Sequence, residues 1–193
     1  MIAILKYRII LITLLFSAFG GALSLLLKIE DLKTYYPSLA ALIAFTVSLL
    51  ISFLIKARWN IHFRNQLKGY AVGLFILFLA AAALHTYYII DRSFEYREFD
   101  QVNRYVKGSY SPLAYEYKKK YPNLTDEEIL YEHLGGPSAI NVYWTKESIN
   151  KNIFSLIVTY CCIVLFFVAC ISLVLEVIAS RYKKQKKKAH AVE

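Results

Sequence analysis

Four long apolar runs restrict what this chain can fold into more than any other feature of its sequence. Each contains 18 to 27 residues, and together they cover Ile9–Leu27, Ser38–Ile55, Gly69–Ile90 and Ile153–Ala179. As helices with a rise of about 1.5 Å per residue, they would be roughly 27 to 40 Å long, which matches a hydrocarbon core of about 30 Å. The runs are continuous and do not alternate apolar with polar residues. They therefore predict membrane-spanning helices and exclude a soluble fold and a transmembrane β-barrel.

The first run has one feature of a secretory signal, because Lys6 and Arg8 precede it. However, its 19 residues exceed the length of about 7 to 15 that is typical of a signal's apolar region. The stretch Phe19–Ser24 also offers only a poor cleavage site. We therefore expect this run to be a retained span.

The distribution of Lys and Arg predicts which way the spans face, because cytoplasmic loops of membrane proteins are rich in these cations. The N-terminus, the connection 56–68 and the tail after residue 180 carry twelve cations and one acid. The segment 91–151 is close to neutral, with nine cations and ten acids. We therefore expect both termini in the cytoplasm. We attribute the net charge of +9 to this topology and expect no direct binding of nucleic acid.

The chain accordingly divides into four predicted parts. Residues 1–90 hold three transmembrane helices, at 9–27, 38–55 and 69–90, with a basic cytoplasmic loop at 56–68. Residues 91–151 form an extracytoplasmic segment that we call the cap, 152–180 the fourth transmembrane helix, and 181–193 a basic cytoplasmic tail. The predicted fold class is all-α: a polytopic membrane protein with four transmembrane helices and a small helical cap between the third and fourth.

The cap is rich in aromatic residues, which are scarce in disordered segments, so we expect it to be folded. Thr125 is placed to cap a helix, Glu128 completes a capping box, and Gly135–Gly136 ends the helix. Pro112 is suited to open another short helix. A further helix, continuing out of the third span, is indicated by the spacing of Phe99, Val102 and Val106.

The cysteines exclude two familiar classes of membrane protein. Cys161, Cys162 and Cys170 all lie in the last run, and the cap has none. A quinone-linked thiol oxidase needs cysteine pairs outside the membrane, and a tetraspanin has a Cys-Cys-Gly motif and disulfides in its large loop. The adjacent pair does not have zinc-ligand spacing, and His133 is the one histidine of the cap. We expect no cofactor, no metal site and no enzymatic activity.

Small residues recur at a spacing of four in three of the runs. Such residues allow helices in lipid to approach closely. The candidate packing or oligomerisation residues are Gly20, Gly21, Ala40, Ala44, Ser48, Ser52, Gly69 and Gly73. They serve either to assemble one four-helix bundle or to bring one face of it against a neighbouring copy, and the sequence leaves both open.

Two ionisable residues lie inside the runs, where such groups are costly and point to function. His85 is near the predicted outer end of the third run, beside Tyr87 and Tyr88. This position indicates that it belongs to an interfacial aromatic belt. Glu176 is near the predicted inner end of the fourth run. It either reaches the interface to meet a cation or contributes to a ring of carboxylates at the mouth of an oligomeric pore.

The predicted inner face carries nine cations that are candidates for binding a partner or lipid. We call them the basic inner residues: Arg58, Arg64, Lys68, Arg181, Lys183, Lys184, Lys186, Lys187 and Lys188. They can bind anionic lipid, act only as stop-transfer anchors, or dock an acidic surface of a cytosolic protein.

This plan resembles the membrane component of the Kiwa antiphage defence system in length, in its four spans, in the segment Asp91–Lys151 and in the tail Arg181–Lys188. The small membrane accessory proteins of CRISPR systems have a similar plan. The Kiwa resemblance implies a homo-oligomer of the bacterial inner membrane, which we take to be a tetramer, working with a cytosolic effector. Our first hypothesis is a sensor and anchor subunit that detects envelope perturbation. The second is a small oligomeric channel or transporter.

Overall fold

The chain is mostly helical in the residues that the computed structural model describes, which are 35–57, 61–98 and 101–189. We number the elements within these ranges in chain order. The helices are α1 (Tyr35–Ala57), α2 (Ile61–Arg92), α3 (Pro112–Lys120), α4 (Asp126–His133), α5 (Ile140–Tyr143) and α6 (Lys146–Ala189); the strands are β1 (Ser93–Glu98) and β2 (Gln101–Val106); a 3₁₀ turn covers Pro137–Ala139.

Two of these helices are long and apolar enough to cross a membrane. The apolar stretch of α2 covers Gln66–Arg92, and that of α6 covers Lys146–Ile178. The first contains the whole of the third predicted run, and the second contains all but the last residue of the fourth. In α1, which has 23 residues, the apolar stretch covers Ser38–Ile51 and is shorter than a span. The predicted span at 9–27 lies outside the described residues, so the four-span arrangement stays a prediction.

The apolar side chains of the two long helices are largely exposed. In the most apolar part of α2 only 17% of the residues are buried within the chain, and in that of α6 39%. Val72, Ile76 and Ile90 of α2, and Phe154 and Ile178 of α6, are among the exposed side chains. A core helix of a soluble domain would bury most of such residues. The two helices thus present apolar surface that the rest of the chain does not cover.

The described residues form two compact units, of which the first comprises 35–82 and 160–189. Its packing joins α1, α2 and α6. Leu67, Ala71 and Leu173 form a buried cluster, and Ile51 of α1 packs against it. The thiol of Cys170 donates a hydrogen bond of 3.3 Å to the Ala71 carbonyl. This contact agrees with a packing role for that cysteine rather than a catalytic one.

Aromatic rings make two further contacts within this unit. The rings of Tyr36 in α1 and Tyr160 in α6 stack with centroids 4.2 Å apart. The rings of Phe78 in α2 and Phe167 in α6 lie 5.1 Å apart in a tilted arrangement. Each helix pair in lipid needs such shape-specific contacts, because burial of apolar surface alone provides little driving force there.

The second unit, 83–159, contains a β-hairpin where the sequence predicted a helix. Strands β1 and β2 pair antiparallel from Ser93 opposite Val106 to Glu98 opposite Gln101. The helix predicted from Phe99, Val102 and Val106 is therefore wrong for the latter two, and Phe99 lies outside the described residues. The chain is mostly helical, as predicted, but the cap combines short helices with a two-stranded sheet.

The hairpin forms because its residues suit cross-strand pairing better than a helix. Tyr, Phe and Val favour strands, and Phe94 and Tyr105 face each other directly with ring centroids 6.0 Å apart. At the start of β1, the Ser93 hydroxyl donates to the Ile89 carbonyl in the last turn of α2. The Lys107 amide then donates to the Arg92 carbonyl at 2.9 Å, which closes the open end of the hairpin.

The predicted starts of α3 and α4 and the predicted end of α4 are confirmed. Pro112 opens α3, with the Ser111 hydroxyl accepting from the Ala114 amide at 3.2 Å. The capping box at the start of α4 is present, and its Thr125 amide donates to the Glu128 carboxylate at 2.7 Å. After α4, Gly135 and Gly136 have φ angles of 80° and 86°, which few other residues adopt.

The segment 112–142, which we call the helical excursion, has its two ends held together by hydrogen bonds. The Ser111 amide donates to the Tyr143 carbonyl at 3.0 Å, and the Thr145 amide donates to the Ser109 carbonyl at 2.9 Å. The same stretch contacts the first turns of α6. The Ser109 amide donates to Ser148 Oγ at 2.7 Å, and Asn152 Nδ2 donates to the Lys107 carbonyl at 2.7 Å. Residues 107–111 are thereby fixed to the beginning of α6.

Candidate functional site

Most of the basic inner residues lie on the two long helices. Lys68 is exposed on α2. Arg64 lies in the same helix, and Arg181 to Lys188 lie in α6, which continues without a break to Ala189; the side chains of these residues are not among those described. Arg58 lies outside the described residues. The tail is thus a helical continuation of the predicted fourth span rather than a separate segment.

Lys68 stands beside an apolar groove between α2 and α6. The groove has a volume of about 250 Å³ and is open to the surface. Its lining, apart from Lys68, is entirely apolar: Ala71, Val72, Val174, Val177 and Ile178. Ala71 and Val177 also belong to the packed cluster beneath the groove. One ammonium group thus stands next to a surface that has no other polar side chain.

The predicted packing residues divide into two groups. Ala40 and Ala44 are 2% and 4% exposed, so this part of the α1 stripe is used within the chain. Ser48 is half-buried, and the side chain of Ser52 is not described.

Unlike Ala40 and Ala44, the glycines Gly69 and Gly73 of α2 are not covered by neighbouring side chains. Both are exposed, and a Cβ at either would have nothing within 4 Å. Gly20 and Gly21 lie outside the described residues. The α2 glycines therefore pack against nothing in the described part of the chain, whereas the alanines of α1 are covered by it.

His85 is buried within the chain, and its predicted place in an interfacial belt stays a prediction. Its side chain is 3% exposed, and its Nδ1 lies 2.7 Å from Thr159 Oγ1. The Thr159 hydroxyl also donates to the carbonyls of Ser155 and Leu156 at 3.0 and 3.1 Å. The Thr159 hydroxyl has a single proton, and that proton points to the carbonyls. The proton of the hydrogen bond between His85 and Thr159 therefore belongs to His85 Nδ1, which donates to Thr159 Oγ1. The pair links α2 to α6.

Glu176 is half-buried in α6. It does not line the groove beside Lys68. The channel hypothesis places the α1 stripe along a pore with Glu176 at its mouth. The burial of Ala40 and Ala44 within the chain does not favour that use of the stripe.

The cap contains a polar centre that the sequence did not reveal. The Asp126 carboxylate, at the first position of α4, accepts hydrogen bonds from the Tyr110 hydroxyl at 3.0 and 3.1 Å and from the Tyr143 hydroxyl at 3.0 Å. It also pairs with Lys118 Nζ at 2.9 Å, and that ammonium donates to the Leu124 carbonyl at 3.0 Å. We call Tyr110, Lys118, Asp126 and Tyr143 the Asp126 centre.

The two phenols of this centre are held in their protonated form. Burial, together with the hydrogen bond to Asp126 and the charge of that carboxylate, raises the pKa of Tyr110 to about 12. Burial and the charge of Asp126 also raise the pKa of Tyr143 well above its usual value. Both hydroxyls therefore remain donors at any physiological pH, and the centre is a fixed joint between α3, α4 and α5.

Aromatic rings pack beside Tyr143 of the Asp126 centre. Trp144 is 1% exposed, and its ring lies 4.9 Å from that of Phe94 and 5.0 Å from that of Tyr143. At the other end of α4, His133 stacks on Tyr121 with ring centroids 4.1 Å apart. His133 is therefore a packing residue of the cap. The hairpin, the short helices and the start of α6 thus form one folded body.

Within the described ranges, no group of three or more His, Cys, Asp and Glu side chains is arranged to hold a metal ion. Comparison with protein-family models, with curated proteins and with solved structures finds no significant match.

Proposed function

We propose that the chain is a multi-pass protein of the bacterial inner membrane, with both termini in the cytoplasm, that serves as a sensor and anchor subunit. In this arrangement the folded cap faces the outside and the basic inner residues face the cytoplasm. The apolar, largely exposed faces of α2 and α6 support a membrane location. The excess of Lys and Arg on the predicted inner segments supports the orientation.

The observation that carries the proposal is the continuity of α2 and α6. Helix α2 begins before the cations Arg64 and Lys68 and leads directly into the hairpin of the cap at Ser93. Helix α6 begins in the cap at Lys146 and continues for 44 residues, through the basic tail. A perturbation of the cap is thereby passed along two unbroken helices to the segments that carry the basic residues.

The biological role that we assign is detection of phage attack at the envelope, as the resemblance to the Kiwa membrane component implies. The subunit would act as a homo-oligomer, a tetramer in our proposal. Its basic inner residues would bind an acidic surface of a cytosolic effector, and anionic lipids would bind alongside. Charge complementarity of this kind favours rapid and selective association.

Labelling of single cysteines tests the topology. In a variant without Cys161, Cys162 and Cys170, we expect a membrane-impermeant thiol reagent to label Asn123→Cys in intact cells and Gln185→Cys only after lysis. Labelling of Gln185→Cys in intact cells, with Asn123→Cys protected, would invert the proposed map. Asn123 is chosen because it is exposed.

Reversing the charge of the tail tests the effector interaction. We change the cations between Lys183 and Lys188 to Glu and purify the tagged protein from cells under mild detergent. We expect a co-purifying cytosolic protein to be lost. The control is Lys119→Glu, a charge reversal at an exposed position of the cap, which should leave the partner bound. Retention of the partner by the tail variant would contradict the proposed role of the basic residues.

A further inference from the structure

We propose that the groove between α2 and α6 is a binding site for one acyl chain of an anionic phospholipid of the inner leaflet, whose headgroup phosphate pairs with Lys68. The inference rests on the membrane location and orientation in the proposed function, but not on the sensor role or on the cytosolic partner. The proposed occupant matches the groove in chemistry, because the groove is apolar and has one cation beside it.

The lining of the groove matches an amphiphile rather than a polar ligand. Five of the six lining residues are apolar, and the sixth, Lys68, supplies a positive charge. Val72 and Ile178 are 60% and 57% exposed, so the groove is accessible from the side that faces the surrounding medium. A polar metabolite would leave its hydrogen-bonding groups unpaired against such walls, whereas a hydrocarbon chain would not.

The position of Lys68 along α2 places its ammonium near the headgroups. It lies at the start of the third apolar run, one helical turn after Arg64. Ala71 and Val72 follow within roughly 6 Å along the helix axis, so the groove begins where the hydrocarbon begins. A lysine at this depth can extend its stem along apolar surface and present its charge to the phosphate layer.

Glu176 lies between lining residues of α6 in sequence but does not line the groove. Glu176 lies two residues after Val174 and two before Ile178, about 200° around α6 from each. It is absent from the lining. Lys68 is thus the one charged side chain that lines this groove among the described residues.

The volume limits what the groove can hold. At about 250 Å³ it falls below the 300 to 1,000 Å³ that is typical of sites for whole small molecules. It therefore holds a segment of one acyl chain, while the rest of the lipid remains in the bilayer. Affinity for a particular headgroup then depends mainly on the pairing with Lys68.

Native mass spectrometry of the full-length protein, released from nanodiscs that contain equal amounts of phosphatidylglycerol and phosphatidylcholine, tests the site. We expect the wild-type protein to retain phosphatidylglycerol in preference to phosphatidylcholine. Lys68→Gln should reduce that preference about fivefold, as expected for one cation near the membrane surface, and Lys68→Arg should keep it. An unchanged preference in Lys68→Gln would overturn the proposal.

Blocking the groove provides a second measurement. Ile178→Trp should displace bound lipid of both kinds, whereas Ile76→Trp, at a similarly exposed position of α2 outside the groove, should not. A photoreactive p-benzoylphenylalanine in place of Ile178 should cross-link to lipid. Cross-linking instead to a second copy of the chain, or to a peptide from residues 1–34, would show a different occupant and overturn the inference.

These results are separable from those for the proposed function. Ile178→Trp blocks the groove but changes none of the basic inner residues, so co-purification of a cytosolic partner should persist in that variant. Loss of bound lipid with retention of the partner supports both proposals. Retained preference, together with partner loss in the tail variant, would reject the lipid site alone.

Discussion

Replacing Asp126 by Ala is the sharpest test of how the cap is held together. The substitution removes the shared acceptor of two tyrosine hydroxyls and the ion-pair partner of Lys118. Tyr143 is fully buried, so its hydroxyl would be left without this acceptor inside the cap. The substitution also removes an acidic residue from the first turn of α4, where it interacts favourably with the helix dipole.

The expected cost follows from these contacts. A hydrogen bond to a charged group contributes about 1.5 to 3 kcal/mol, and a partly exposed ion pair contributes up to about 1 kcal/mol. Allowing for relaxation and water entry, we expect Asp126→Ala to destabilise the cap by about 3 kcal/mol. Tyr143→Phe should cost about 1.5 kcal/mol, because it removes one of these bonds and leaves no unpaired donor.

Hydrogen exchange of the full-length protein in detergent measures these costs. A loss of about 3 kcal/mol corresponds to roughly 100-fold faster exchange of the protected amides of α4. Fluorescence of the buried Trp144, in a Trp59→Phe background, provides a second readout of the same region. The matched control is Glu132→Ala, which removes an exposed carboxylate from the same helix.

Two outcomes would refute this reasoning. The first is exchange in Asp126→Ala that is no faster than in Glu132→Ala. The second is strict additivity of Asp126→Ala and Tyr143→Phe, since two residues joined by a hydrogen bond should show a coupling energy of about 1 kcal/mol.

The remaining predictions concern the glycines, the phenols and the α2 surface. Gly136→Ala should destabilise the cap by about 2 kcal/mol more than Gly135→Ala, because Gly136 has φ 86° and ψ −152° and its Cβ would lie 2.9 Å from a tyrosine hydroxyl; equal melting temperatures would contradict this. The raised pKa of Tyr110 means that its contribution to stability is fully present below about pH 10 and is lost as the pH rises through about 12, so Tyr110→Phe should flatten the alkaline unfolding profile measured by Trp fluorescence. Gly73→Leu should reduce the oligomer size in light scattering while leaving thermal stability unchanged, whereas Ala44→Leu should lower stability; an unaltered oligomer in Gly73→Leu would remove that face from the interface.

Features of the cap that depend on neighbours in sequence could be predicted. The capping box involves Thr125 and Glu128, three residues apart, and the turn after α4 requires only that Gly135 and Gly136 follow its end. Such local signals act through the backbone of one helix and do not depend on the rest of the fold. The apolar stretches of α2 and α6 were predictable for a similar reason, because length and composition alone define them.

Features that depend on distant residues could not be predicted. The hairpin was missed because Val102 and Val106 fit a helical spacing, while the strand is favoured by pairing such as that of Phe94 with Tyr105. The partner of His85 is 74 residues away in α6, and no motif marks it. The Asp126 centre likewise joins residues from three short helices and a loop, whose proximity is set only by the fold of the cap.

Residues 109–111 and 143–145 form a clasp that separates changes in the segment between them from the ends of the long helices. Everything between Pro112 and Val142 leaves and returns at one point, and that point is bound to the first turns of α6. An insertion or exchange within the excursion need not disturb where either long helix begins or ends. Changes at its exposed turns could therefore alter the surface of the cap while the two long apolar helices keep their ends.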